Sequence, residues 1–117
     1  MSADDDDAGR AALIWCPFGD EASAREAATV LLEEHLVACA NIIPAMTSVF
    51  RWEGRIASQD ESGVLFKTRK SLLKKAQTRL AQIHPYDSPA ILGWEIDRAP
   101  AETLGWLAEE TMRRGQD

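Results

Sequence analysis

Hydrophobic and polar side chains alternate through the middle of the chain. Met46, Ser48, Phe50 and Trp52 share one face, and Thr47, Val49 and Arg51 the other. A period of two, rich in β-branched and aromatic residues, predicts a strand. The stretch, residues 41–53, is longer than the usual five or six residues. Pro44 cannot donate to a ladder, so a bulge or an edge is expected there. A ribbon of this length on a small domain can project past its own sheet and pair with another chain. Glu53-Gly54 reads as a two-residue hairpin turn. The returning strand is best defined over residues 63–68, with the polar stretch 57–61 a bulge or a loosened part of the hairpin.

The remaining pattern completes the order. Residues 11–17, A-A-L-I-W-C-P, are a short apolar run that fits a buried strand stopped by Pro17. Asp20 is a candidate helix N-cap, and Ala24, Ala27, Ala28, Leu31 and Leu32 recur at helical spacing over residues 21–35. Ser71 is the next expected N-cap. Leu73, Ala76, Leu80 and Ile83 form the stripe of a second helix, which His84-Pro85 ends because the residue before proline avoids the α region. Residues 90–96 read as a last strand. Pro100 suits a first helical turn, and Leu104, Leu107, Ala108 and Thr111 give one face of a terminal helix. The order β-α-β-β-α-β-α predicts an α+β fold: a ferredoxin-like βαββαβ sandwich (split βαβ) with an extra C-terminal helix and a long ribbon of the second and third strands. Its sheet order would be 4-1-3-2, with right-handed crossovers. That topology puts Cys16, the Trp52-Glu53 turn and His84-Pro85-Tyr86 at one end and Cys39 at the other.

Composition narrows the function. A chain of 117 residues is one domain, expected over residues 11–117, behind a disordered acidic tail at 1–10 that carries four consecutive aspartates. The net charge of −6 argues against bulk binding to nucleic acid or an anionic membrane, and no apolar run approaches a bilayer span. Two cysteines give no disulfide framework and suit a reducing, cytoplasmic setting. No nucleophile stands with a base and no glycine-rich phosphate loop is present, so the chain reads as a binding protein without an organic cofactor, not an enzyme.

Cys16 and His84 are the sharpest chemical candidates, because thiolate and imidazole together suit copper or zinc. Two ligands do not close a tetrahedral site; Tyr86, Asp87, Glu53 or a neighbouring subunit would complete it. The structural alternative is a strand-end thiol and a histidine closing a helix. Cys39 reads as a small buried hydrophobe. The basic cluster Lys67, Arg69, Lys70, Lys74, Lys75 and Arg79 is either a solvated helix face or an anion pocket.

A-C-A-N-I-I-P at 38–44, T-S-V-F-R-W-E-G at 47–54, F-K-T-R at 66–69 and H-P-Y-D-S-P at 84–89 resemble the CutA divalent-cation tolerance family. The resemblance covers about residues 13–107. It implies a homotrimer built by pairing long strands, with Val49, Phe50, Trp52 and Trp94 at the trimer interface, and tolerance to copper or another divalent cation. The family's copper positions fall on Cys16 and His84, while a further histidine of some bacterial members is Ile83 here. The family also resembles the trimeric PII signalling proteins, and Trp52, Glu53, Lys67 and Tyr86, with His84, match positions near their intersubunit clefts. The alternative function is therefore a PII-like module that takes a small anionic ligand there.

Overall fold

Strand β1 (Ala11–Phe18) runs through the middle of a four-stranded sheet because every second residue is apolar and small enough to sit under helices. Ala12, Ile14, Cys16 and Phe18 are fully buried on that face, beside Val64 and Phe66. The computed structural model describes residues 9–112, so the aspartate run lies outside the described residues. After β1 come α1 (Glu21–Glu33), β2 (Cys39–Trp52), β3 (Arg55–Arg69), α2 (Lys70–Ile83), β4 (Leu92–Glu95) and α3 (Ala101–Thr111). The sheet order β2-β3-β1-β4 is the expected one read from the other edge, and every pairing is antiparallel. This is the ferredoxin-like α+β sandwich with its additional helix. Among the described residues no helix is long and apolar enough to cross a membrane.

Two helices cover one face. Alanines at 24, 27 and 28 let α1 approach the sheet closely, and Leu31 with Ala76 and Leu80 of α2 fills the space between. Each fully buried Leu, Ile or Phe here contributes roughly 1.5–3 kcal/mol. Asp20 caps α1 as expected, its carboxylate accepting from the Ser23 backbone N–H at 2.7 Å. The helix closes at His35, which is left-handed (φ 59°), with Leu36 N–H donating to the Leu31 carbonyl at 2.9 Å, a Schellman ending.

The second helix starts differently from the sequence expectation. It begins at Lys70 with Arg69 as N-cap and no side-chain cap, not at Ser71. The acceptor comes from across the sheet: Lys70 N–H donates to the Arg10 carbonyl at 2.8 Å. Lys70 also pairs with Glu95 at 2.9 Å, and Arg10 with Glu95 at 3.6 Å. The last strand is four residues long, shorter than residues 90–96.

The ribbon is longer and more regular than the sequence suggested. Strand β3 is continuous over 15 residues, and residues 57–61 are neither bulged nor loose, since Met46↔Glu61 through Trp52↔Arg55 pair in one unbroken register. Their polarity reflects exposure, because the backbone ladder does not need an apolar face. The irregularity lies on the opposite strand, between Ile43 and Met46, where Pro44 predicted it and Ala45 takes φ 57°. Pairing with β1 stops at Phe18↔Ser62, so residues 55–61 pair only with β2. They carry the tip about 23 Å beyond the sheet at roughly 3.3 Å per residue, which accounts for a long axis of 50 Å. At the root of the ribbon Gly63 faces Trp15, and a Cβ there would lie 2.8 Å from the ring's Cζ2.

Candidate functional site

The end of α2 sets the geometry. Pro85 forbids another helical turn, so His84 is extended (φ −69°, ψ 136°) while its N–H still closes the helix on the Leu80 carbonyl at 2.9 Å. The imidazole thereby swings over the end of β1. It stacks on Phe18, with centroids 4.2 Å apart and planes 18° apart. Nδ1 accepts the Tyr86 backbone N–H at 3.0 Å, so Nε2 carries the proton and donates to the Pro17 carbonyl at 2.9 Å. Burial lowers the histidine's pKa, against opposing contributions from the Pro17 carbonyl and Glu61. The ring is neutral and both its nitrogens are engaged.

Cys16 lies in the core beneath it. Its Sγ is 3.6 Å from the Pro17 carbonyl, and burial, with a smaller contribution from Glu61, pushes the thiol up to about 12. Beside them, Tyr86 donates its hydroxyl proton to Glu61 Oε2 at 2.8 Å and accepts from Gln59 Nε2 at 2.9 Å. Burial first, and Glu61 second, push this phenol up to about 12. The Tyr86 ring also lies against His84, with centroids 4.8 Å apart. Thiol, imidazole, phenol and carboxylate thus gather where β1 ends, β3 leaves the sheet and α2 stops.

The structure brings Cys16, His84 and Tyr86 to one end, as the topology predicted. It does not bring in Trp52 and Glu53, which sit at the ribbon tip, paired with or next to Arg55. Lys67 lies opposite Leu13 and Cys39, on the other side of Val64, the partner of Cys16. The expected cleft set is therefore not assembled within one chain. Cys39 is half-buried, with its Sγ 3.7 Å from Asn41 Oδ1, and not the core residue anticipated. Glu61 and Gln59 were missed. Their signal was the two-residue spacing on one strand face, inside the stretch read as loosened.

As a donor set, thiolate, imidazole and carboxylate suit copper or zinc in kind. In arrangement each is already occupied by hydrogen bonds or a proton, and among the described residues no group of three His, Cys, Asp or Glu is placed to hold a metal ion.

Comparison with known proteins covers almost all of this fold. The family model of the CutA1 divalent ion tolerance protein matches residues 12–110. The divalent-cation tolerance protein CutA of Pyrococcus horikoshii is 37% identical over 101 residues, which span 86% of this chain and 98% of that one. The crystal structure of the divalent ion tolerance protein CutA1 from Ehrlichia chaffeensis superposes with a TM-score of 0.85 at 32% identity, over 88% of this chain and 96% of that one. The structure of the periplasmic divalent cation tolerance protein CutA from Archaeoglobus fulgidus gives a TM-score of 0.83 at 31% identity, over 87% of this chain and 99% of that one.

Proposed function

The chain belongs to the CutA1 divalent ion tolerance family, and from that premise we propose that it is a non-enzymatic divalent-cation tolerance protein, working as a homotrimer that captures copper or a similar ion. One observation supports the metal assignment: Cys16 Sγ and His84 Nε2 converge on the Pro17 carbonyl, at 3.6 and 2.9 Å. Cys16 and His84 would be the ligands, and because no third His, Cys, Asp or Glu among the described residues is placed with them, a neighbouring subunit would complete the site. Capture then requires Cys16 to lose its proton and His84 to give up one of its two hydrogen bonds. Affinity is accordingly modest and rises with pH, because the ion must displace a proton from a thiol at about 12.

The test is calorimetry of the reduced protein with Zn(II) and Cu(I), beside Cys16→Ser and His84→Gln. We expect about one ion per chain, affinity that increases between pH 6 and 8, and a loss of about tenfold or more in the Cys16 and His84 variants. Binding unchanged in both of those variants would remove the assignment.

The assembly proposal rests on the ribbon and the edge strand. Val49 is 68% exposed and Trp52 64%, and Phe50 and Trp94 are also open, so a second and third copy would cover them. In such a ring Trp52 and Glu53 of one subunit would approach Lys67 and Tyr86 of the next. We assign residues 11–117 to one domain and 1–10 to an acidic extension. The half-buried free thiol of Cys39 supports a cytoplasmic setting, whereas the A. fulgidus relative is described as periplasmic.

A further inference from the structure

The helical side of the molecule carries a second feature, lined by residues other than those of the Cys16–His84 cluster. A groove of about 860 Å³ runs between the end of α1, the outer face of α2 and the end of α3. That volume lies within the range of small-molecule sites. From α2 it is lined by Leu72 and by the polar residues Ser71, Lys74, Lys75, Thr78, Arg79 and Gln82, the polar ones three or four apart along one face of the helix.

The charge of this face is unlike that of the rest of the chain. The protein has 19 acidic and 13 basic residues, yet α2, KSLLKKAQTRLAQI, contains four cations and no acid. One carboxylate lines the groove, that of Glu34. Arg79 grips it with Nε at 2.8 and 3.1 Å and Nη2 at 2.9 Å, and turns Nη1 to Gln82 at 3.2 Å. Arg79 is therefore fixed as part of the wall. Lys74 and Lys75 make no ion pair among the described residues, and the hydroxyls of Ser71 and Thr78 stand within a turn of them. Ammonium and hydroxyl donors around a groove of mixed polarity match the acceptors of a phosphate-type oxyanion, and adjacent lysines match more than one charged oxygen centre.

We propose that this groove is a binding site for a multiply charged oxyanion of the polyphosphate class, held by Lys74 and Lys75 with Ser71 and Thr78 as neutral donors. Lys67 does not line it, so it is separate from the cleft considered above, and it is independent of the metal assignment.

Tripolyphosphate is the probe, titrated calorimetrically into the full chain in about 0.1 M salt, where surface charges beyond roughly 10 Å are screened. EDTA is kept in excess of any metal, so the outcome does not depend on the Cys16–His84 end. Two double variants remove equal charge: Lys74→Gln with Lys75→Gln in the groove, and Arg25→Gln with Arg98→Gln outside it. The expected result is saturable binding to the wild type at one site per chain, weakened at least about tenfold in the lysine pair and within about twofold of wild type in the arginine pair. Absence of saturable binding to the folded wild type would overturn the site. Equal weakening in both pairs would also overturn it, by reducing the effect to net charge.

Discussion

His84 works as a structural wedge as much as a candidate ligand. A neutral imidazole stacked on Phe18 and bonded through both nitrogens ties the end of α2 to the end of β1. Because burial holds its folded pKa below the ordinary 6.5, the unfolded chain takes up this proton first as pH falls. Between 6.5 and the lower folded value the unfolded state binds more protons, so the contribution is complete above about pH 6.5 and declines below it. The denaturation midpoint is expected to fall from pH 7 to pH 5 more steeply in the wild type than in His84→Gln. Identical pH slopes in the two proteins would show that the imidazole is not the group responsible. Asp20, also held low, by its bond to the Ser23 N–H, acts only further down, below its ordinary 3.8.

At the scale of elements, the ribbon shows what a turn demands and what a pattern can conceal. Glu53 and Gly54 have φ 48° and 78°, the two positive angles of a type I′ hairpin. Glutamate resists the left-handed region, whereas asparagine tolerates it. Glu53→Asn is therefore expected to stabilise the fold by up to about 1 kcal/mol, measured as a rise in melting temperature; a fall would mean that Glu53 makes contacts at the tip worth more than its strain. The turn, the bulge at Pro44 and the Asp20 cap were legible because each depends on the local chemistry of one or two residues. The start of α2 was not, since its acceptor is the Arg10 carbonyl, sixty positions earlier in the sequence. Nor was the polar half of β3, where alternation carries no apolar signal once the strand leaves the core. The meeting of Cys16 with His84 followed from topology alone. The place of Glu61 depended on register across an irregular strand, which side-chain pattern does not encode.

For the whole molecule, the uncovered sheet side and the projecting ribbon decide behaviour in solution. By register Leu13 shares that side with Trp94, and Trp15 with Leu65 and Leu92. On the opposite face of the ribbon, in line with Val64 and Phe66, Val49 and Ile56 are each 68% exposed, so the two faces together leave more apolar surface than a small monomer usually shows. Light scattering at micromolar concentration is expected to give three times the chain mass. The double variant Val49→Asp with Ile56→Asp should shift the population to smaller species and lower the melting temperature, because folding and assembly are linked. A wild type that scatters as a monomer would refute the trimer.

The part of the ribbon beyond Ser62 has one further property. Only its own partner strand pairs with it, so its length is a heritable variable separate from the fold. Losing or gaining one residue on each side of the turn would change the reach by about 3.3 Å and leave every pairing of β1 as it stands. Descendants of this chain could drift in how far they extend toward a neighbour while inheriting an unaltered core.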